Sequence, residues 1–459
     1  MTSQIPATGR RKEETEATTL SSIAALILAA GQGTRMKSNL AKVLHPIAGR
    51  PMLAYPLAAA EALEPERLVV VVGRDAEMVE QTFGERATFV LQHEQRGTGH
   101  AVLAAEAALE GFCGDVLILY GDTPLLRPET LVEMVRAKAD TGADLLILTA
   151  RVDVPGIVVR DHNGAVARVV EETDATPEER AIEERNTGVY LVSSDLLWKT
   201  LAQVDDRNEQ GEVYLTSLIE RSVRDGRHVE ALQMGDAEEA IGVNTRVELA
   251  AASAVVRQRK LHQLMLEGVT IVDPANTYVD VGVEIGRDTL IEPGCVIQGE
   301  TRIGESVHLK PGCMIESSRI GDDVTMGPNA HVRPGNVLGR GVRIGNYVEL
   351  KNSVLGDGVK ADHLSYIGDA DVGERASFGC GAITVNYDWK QKHRTTIGEG
   401  ATIGCNVNLI APVTIGKNAA VAAGSTIDQG VPDDALAVER ARHRNIEGWV
   451  SRRNRDKDR

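Results

Sequence analysis

The sequence predicts an α/β protein in which a Rossmann-like, three-layer domain is followed by a parallel β-helix of hexapeptide repeats. Three observations carry that expectation. An aliphatic side chain returns every sixth residue at Val279, Ile285, Ile291, Ile297, Ile303, Leu309 and Ile315, and again at Ile397, Ile403, Leu409, Ile415, Val421 and Ile427. Neither a helix nor an ordinary strand has that period, whereas short parallel strands joined by tight corners do. Between residues 23 and 150, short apolar runs alternate with helical patterns, which is how a mostly parallel sheet covered by helices reads. Aromatic residues make up only 3% of the chain against 45 glycines, a composition suited to a solenoid of small repeating side chains.

Taken in order, residues 1–22 are rich in Thr, Glu and Arg without periodicity and are expected to form a disordered extension. A domain is expected over residues 23–246. Its first strand, Ile23 to Leu28, enters a glycine-rich loop, Ala29 to Met36; further buried strands are expected at Leu68 to Val72, Val116 to Tyr120 and Leu145 to Leu148. Helices are expected at Ala58 to Leu63, Gly99 to Leu109 and Pro128 to Ala139. In such a sheet the ligand crevice lies beyond the carboxyl ends of the strands, where the glycine-rich loop sits. A connecting helix is expected over 247–267, with Asn244 as its cap and Gly268 as its stop.

The β-helix is expected over 268–436, ended by Pro432, with a basic tail at 437–459. Three repeats make one triangular coil, and pairs such as Ile285-Gly286 and Ile303-Gly304 place a glycine where the backbone turns a corner. Stacked coils then bury a continuous apolar ladder. The step shortens to five at Ile315 to Ile320 and Leu350 to Leu355, read as bulged corners, and fails across Val385 to Thr396, read as a functional loop thrown out of the solenoid.

A net charge of -16 argues against nonspecific nucleic-acid binding as the main task, but local Arg and Lys still decide whether anionic small molecules bind. The five cysteines, Cys113, Cys295, Cys313, Cys380 and Cys405, form no CxxC pair and no zinc-finger spacing. With no secretory leader and no long apolar span, the chain reads as cytoplasmic, with reduced thiols and no stable membrane insertion. The glycine-rich loop is not a P-loop, and Met36 stands where a dinucleotide fingerprint has its third glycine. Gly31 and Gly33 nevertheless let backbone N–H groups approach a phosphate, Arg35 adds charge-assisted donors, and Lys42 follows within reach.

Leu28-Ala-Ala-Gly-Gln-Gly-Thr-Arg-Met36 with Lys42 resembles the signature of sugar-nucleotide pyrophosphorylases. Gln92 to Ala101, Tyr120-Gly121-Asp122, Asn186-Thr-Gly188 and Gly242-Val-Asn244 narrow the likeness. With the β-helix behind them, the chain from about Ile23 to Trp449 is similar to the bifunctional N-acetylglucosamine-1-phosphate uridylyltransferase/glucosamine-1-phosphate acetyltransferases. The resemblance implies a nucleotidyltransferase domain followed by a left-handed β-helix, a homotrimer, and two steps of UDP-N-acetylglucosamine biosynthesis for cell-wall precursors. The β-helix would acetylate glucosamine 1-phosphate with acetyl-CoA. The first domain would transfer UMP from UTP to N-acetylglucosamine 1-phosphate, releasing pyrophosphate with the help of Mg2+.

The same resemblance implies the site residues. Leu28, Ala29, Ala30, Gly31, Gln92, Gly97, Thr98, Tyr120 and Gly121 would surround the uridine; Gly156, Glu171 and Asn186 would contact the sugar. Arg35 and Lys42 would steady the triphosphate, and Asp122 and Asn244 would hold the metal. In the second half His363 would be the general base, since imidazole titrates near neutrality and the attacking amine must lose a proton; Glu349 would orient or polarise it. Arg333, Lys351, Tyr366, Ser377 and Lys392 would hold the sugar phosphate, with Asn386 among the sugar contacts. Cys380, Asn386, Tyr387, Cys405, Ala423 and Arg440 would face acetyl-CoA.

Three positions depart from the family pattern: Ser377 replaces an Asn, Cys380 an Ala and Cys405 a Ser. A lost donor to the transition state costs about 10²-fold in rate. This leaves a second reading, in which the β-helix is a trimerising scaffold with an impaired acetyl site and only uridylyl transfer remains. Two others are a thymidylyltransferase of the same first fold and a zinc site built from His308, His331 and His363.

Overall fold

The computed structural model describes residues 21–204 and 212–455, so the expected extension, through residue 20, and the last four residues lie outside the described residues. The chain divides into two compact units, Met1–Val255 and Val256–Arg459. Among the described residues no helix is long and apolar enough to cross a membrane.

The first unit is built on seven strands: β1 (Ile23–Ala29), β2 (Arg67–Val72), β3 (Thr88–Leu91), β4 (Asp115–Tyr120), β5 (Leu145–Ala150), β6 (Arg185–Ser193) and β7 (Val229–Gln233). They lie in the order β7-β5-β6-β4-β1-β2-β3. The centre is parallel, with β1 between β4 and β2. The sheet is not parallel throughout, because β6 runs against both β4 and β5. Before β6 the chain passes through a hairpin, Ile157–Arg160 with Val166–Val170, and Arg185 pairs antiparallel with Ile157. A chain returning through a hairpin has no crossover helix to restore its direction.

Side chains of β1 alternate between two cores, which is why its sequence reads as an unbroken apolar run. Ala25 and Ile27 pack with Leu57, Leu131 and Met134 on one face, while Ala24 and Leu26 pack with Val102 and Leu109 on the other. The first of the expected helices begins earlier, at Ala54–Glu61, and the second is Thr98–Ala104 followed by a separate 3-10 turn, Glu106–Leu109. Pro128–Thr141 forms as expected, with Pro in its first turn and Gly142 at φ 65° after its end.

The long helix is Arg246–Leu266, and Gly268, at φ 97°, follows it. Its cap is Thr245, not Asn244: Thr245 Oγ1 accepts the Glu248 N–H at 3.2 Å, and Glu248 Oε2 accepts the N–H groups of Asn244 and Thr245 at 2.7 Å each. Asn244 is thereby left free to point elsewhere.

The second unit is a left-handed parallel β-helix whose three faces carry ten, nine and eight short strands. Its inward rungs run in register: Ile291, Leu309, Met326, Ile344, Ala361, Phe378, Ile403 and Val421 form one buried ladder. The five-residue steps do not bulge the strands. Arg302, Arg319, Val337, Val354 and Asp371 stay in continuous register across them. Each short corner instead closes on a left-handed residue, Ser317 at φ 37° and Asn352 at φ 48°; Ile367 to Val372 repeats the device with Asp369 at φ 49°.

Inside these corners runs a buried polar column. Ser318 Oγ donates to the Arg333 carbonyl at 3.0 Å, Asn336 Nδ2 to the Leu350 carbonyl at 3.4 Å, and Ser353 Oγ to the Ile367 carbonyl at 3.2 Å. Each polar group is therefore paired with the next coil. The loop at 386–394 leaves the prism after Ile383–Val385, and the chain rejoins at Thr395–Ile397, with Thr396 beside Asp371. The solenoid continues one rung past Pro432, to Leu436–Ala437, and within the basic tail Trp449–Arg455 is helical.

Candidate active sites

At the carboxyl ends of β1 and β4 lies a cavity of about 410 Å³ lined by Leu28, Ala29, Ala30, Gly31, Lys42, Gln92, Gly97, Thr98, Tyr120 and Asp122, together with Gln95 and Glu212. A wider cleft of about 980 Å³ continues from Gly31 and Gln32 over Gly73 to Gln81. Gly33 adopts φ 62°, and a Cβ there would stand 2.7 Å from the Lys42 Cβ, so the loop closes against Lys42 only because this residue is glycine. The Lys42 ammonium then reaches the Asp122 carboxylate and donates to Asn244 Oδ1 at 3.1 Å.

Asn244 stands there because the Val243 N–H donates to the Asp122 carbonyl at 2.8 Å. Three residues from distant parts of the chain thus meet at the mouth of the cavity. Arg35 sits exposed on the turn Thr34–Met36, outside the lining. Gly121 also does not line the cavity; its N–H donates to the Leu28 carbonyl at 2.9 Å and ties β4 to β1.

Gly156, Glu171 and Asn186 gather around Tyr120 and Tyr190. The Asn186 N–H donates to the Gly156 carbonyl at 2.8 Å, and its Nδ2 donates to the Tyr190 hydroxyl at 2.7 Å. Thr216 donates to Glu171 at 3.1 Å. Burial pushes the Glu171 carboxyl above the ordinary carboxylate range, and burial together with the Glu171 charge pushes the Tyr120 phenol well up. Three residues inside the quoted motifs or beside them were not singled out by sequence. Gln95 Nε2 donates to the Ala30 carbonyl at 2.6 Å. Gly73 leaves room for that same carbonyl, and Gly188 lets the Tyr120 ring lie on the backbone, where a Cβ would come within 2.2 Å. Each is legible only once two strands are laid side by side.

In the second unit, outward side chains on neighbouring rungs build a cationic patch. Arg333 Nη1 donates to Glu349 Oε1 at 3.1 Å, and Lys351 Nζ lies 3.5 Å from Asp369 Oδ2. Asp369 accepts from Asn352 at 2.6 Å and Asn386 at 2.5 Å, and Asn386 also donates to the Tyr366 hydroxyl at 3.4 Å. Although burial opposes its ionisation, these donors and Lys351 hold the Asp369 carboxyl below its usual range. Lys392 is brought up to Lys351, and that like charge lowers its pKa. A patch containing Arg333, Lys351 and Lys392 is suited to an anion with several oxygens.

The loop that delivers Lys392 is tied internally. Asp388 accepts from the N–H groups of Lys390 and Gln391 at 2.9 and 2.7 Å and lies 2.8 Å from His393 Nε2; those backbone donors and His393 bring its carboxyl down to about 2. Arg394 anchors the far end on Asp371 and on the carbonyls of Asn352 and Ala370. Asp369 and Arg394 were not singled out by sequence; the charged run after Asn386 pointed toward Arg394, whereas Asp369, 17 residues before Asn386, lies outside that run.

His363, Cys380, Cys405 and Ala423 each stand two residues beyond an inward member of one ladder, Ala361, Phe378, Ile403 and Val421. They therefore share a column along one corner, and all four are exposed. Arg440 Nη1 donates to the Ala423 carbonyl at 3.0 Å, Ser377 Oγ reaches Thr402 Oγ1 at 3.5 Å, and Tyr387 bridges to Lys392. Glu349 does not orient His363: its carboxylate is taken by Arg333, and among the described residues no hydrogen bond joins it to the imidazole. The zinc reading fails on geometry. His308 faces Glu292 at 2.5 Å and His331 faces Glu316 at 3.1 Å on different faces of the prism, and among the described residues no three metal-ligating side chains cluster.

The MobA-like NTP transferase domain family matches residues 25–221, and the bacterial transferase hexapeptide family (six repeats) matches residues 282–317 and 394–429. A protein named "Bifunctional protein GlmU" from Trichlorobacter lovleyi is 47% identical over 448 residues, covering 93% of this chain and 97% of its own. Proteins of the same name from Geobacillus sp. strain WCH70 and Geobacter metallireducens are 48% identical over 447 residues and 45% identical over 466; the alignments cover 93% of this chain in both, and 97% and 98% of theirs.

Proposed function

The chain belongs to the family of bifunctional GlmU proteins, and from that premise we propose how its residues divide two reactions between two sites. It is an enzyme of UDP-N-acetylglucosamine biosynthesis, an acetyltransferase acting on glucosamine 1-phosphate and a uridylyltransferase acting on N-acetylglucosamine 1-phosphate. We assign uridylyl transfer to residues 23–246 and acetyl transfer to 268–436, working as a cytoplasmic homotrimer on small-molecule substrates.

In the first site the 410 Å³ cavity takes the uracil and ribose, with Gln92, Gly97, Thr98 and Tyr120 around them. Gly156, Glu171 and Asn186 take the sugar, while Lys42 and the exposed Arg35 take up charge on the triphosphate. Asp122 and Asn244 offer one carboxylate and one amide oxygen at a single point, now occupied by the Lys42 ammonium. An oxygen-only set with so few protein ligands fits Mg2+, which keeps waters and substrate phosphates in its shell. When bound, the ion supplies charge neutralisation on the phosphate oxygens.

In the second site Arg333, Lys351 and Lys392 hold the phosphate of glucosamine 1-phosphate, and Tyr366 and Asn386 orient the sugar. His363 removes the proton as the amine attacks the thioester carbonyl. Ser377 belongs with the sugar-phosphate contacts, and Cys380, Asn386, Tyr387, Cys405, Ala423 and Arg440 line the approach of acetyl-CoA. The meeting of Lys42, Asp122 and Asn244 carries the first assignment, and the cationic patch of Arg333, Lys351 and Lys392 carries the second. Each half-reaction run alone tests the division: pyrophosphate release from UTP with N-acetylglucosamine 1-phosphate, and free-thiol release from acetyl-CoA with glucosamine 1-phosphate. Absence of the second activity alone would leave the scaffold reading, which the replacements at Ser377, Cys380 and Cys405 favour.

A further inference from the structure

Four of the five cysteines stand in two stacked pairs. Val296 lies beside Met314, so Cys295 and Cys313 are neighbours on adjacent coils, and the ladder through Phe378 and Ile403 makes Cys380 and Cys405 neighbours in the same way. The first pair is buried inside the prism and the second is exposed on its corner. Adjacent strands in a parallel sheet lie about 4.8 Å apart, inside the roughly 4.4–6.8 Å that a disulfide spans between Cα atoms.

Two further contacts hold the exposed pair together. The Asn406 N–H donates to the Cys380 carbonyl at 2.8 Å, which ties the two coils at this point. A Cβ built on Gly379 would lie 2.9 Å from Cys405 Sγ, so this thiol leans over the coil that carries Cys380 rather than away from it.

We propose that Cys380 and Cys405 are a modification site, a dithiol that a small-molecule disulfide such as glutathione disulfide converts to an intramolecular disulfide, closing the acetyl-donor pocket while uridylyl transfer continues. The closing of the pocket rests on the reading above that these two positions line the approach of acetyl-CoA. One cysteine thiolate attacks the reagent disulfide and expels the first small thiol; the second thiolate attacks the mixed disulfide and expels the other. Two cysteine thiols are oxidised, one reagent disulfide is reduced, and the two protons leave on the released thiols. The buried pair has the same stacking but no access, and it stays reduced.

The test treats the full chain with glutathione disulfide and follows both half-reactions and the tryptic peptides. The expected product joins the peptide 376–390 to the peptide 395–417, with acetyl transfer lost in proportion to the linkage, restored by dithiothreitol, and uridylyl transfer unchanged. In Cys380→Ala and in Cys405→Ala, each compared with itself before and after treatment, acetyl transfer should not respond. Peptides that stay unlinked, or that carry glutathione only, overturn the proposal; so does an oxidative loss of acetyl transfer that survives in both variants. Linkage without loss of acetyl transfer overturns the closing of the pocket. The underlying reading is checked separately on the reduced enzyme, where acetyl-CoA should slow alkylation of Cys380 and Cys405 by iodoacetamide. Absence of protection sinks the acetyl-donor assignment whatever the disulfide does.

Discussion

In the first unit Lys42, Asp122 and Asn244 come from a turn, a strand end and the approach to a helix, and they meet beyond the sheet that carries them. In the second unit Arg333, Lys351 and Tyr366 stand on successive coils of the wall itself, each next in sequence to an inward residue. The layered unit separates its core from its chemistry: side chains in the middle of β1 and β4 fill two cores, and the site lies past their ends. The prism does not. Leu350 is buried in the ladder while Glu349 and Lys351, on either side of it, face outward into the cationic patch. A solenoid site is therefore only as well placed as the rung behind it.

The largest effects should follow this division. Asp122→Asn should cost uridylyl transfer about 10²–10³-fold and leave acetyl transfer nearly intact. His363→Ala should cost acetyl transfer about 10²–10⁴-fold and leave uridylyl transfer intact. A folded variant that lost both activities would break the separation of sites, and retained acetyl transfer in His363→Ala would remove the base from the mechanism.

Next come paired core truncations. Leu350→Ala and Leu117→Ala remove fully buried side chains of equal size, and each should cost about 2–5 kcal/mol in thermal or denaturant unfolding. In protein that remains folded, Leu350→Ala should also raise the KM for glucosamine 1-phosphate, because Glu349 and Lys351 move with it. Leu117→Ala should leave the KM for UTP where it was. Equal behaviour of the two would erase the contrast between layered sheet and prism.

A smaller effect is expected at the tip of the 386–394 loop. Asp388→Asn keeps an acceptor for the two backbone donors but loses the charge facing His393, and the KM for glucosamine 1-phosphate should rise several-fold, about 3 to 10, with kcat little changed. Because the Asp388 carboxyl is brought down to about 2, its contribution is complete above the unfolded carboxylate range and is lost as pH falls through that lowered value. Fluorescence of Trp389, with Trp198 and Trp449 replaced by Phe, should report the loosening on acidification, and should show it already at neutral pH in Asp388→Asn. The smallest change is expected for Ser377→Asn and for Cys405→Ser. Each restores a donor of the family pattern, and acetyl transfer should equal or exceed that of the parent. A large loss in both would mean that the pocket has been rebuilt around the present side chains.

The inward rungs were legible because a six-residue period leaves no other explanation for aliphatic residues so spaced. Their outward neighbours were not, since a period says which residues face out but not which of them pair. Glu349 was equally placed to serve His363 or Arg333, and charge decided for Arg333. The direction of β6 was hidden for a related reason: a strand buried on both faces has the same sequence whether parallel or antiparallel, and only the hairpin before it reveals the reversal. At the long helix both Asn244 and Thr245 are good caps in isolation. Lys42, 202 residues away, claims the Asn244 amide, so the cap falls to Thr245.

Repetition carries its own hazard, because interchangeable aliphatic rungs permit a chain to thread itself one coil out of place with little loss of apolar contact. The buried column of Ser318, Asn336 and Ser353 makes that error costly. Asn336 fits only where a carbonyl of the next coil awaits its amide and where Ser318 can take up its N–H at 3.2 Å. A slipped coil would strand these groups among methyls, at about 1–3 kcal/mol for each one left without a partner. Three small polar side chains thus number the turns of an otherwise degenerate spiral, and they do so on the coils that carry Arg333 and Lys351.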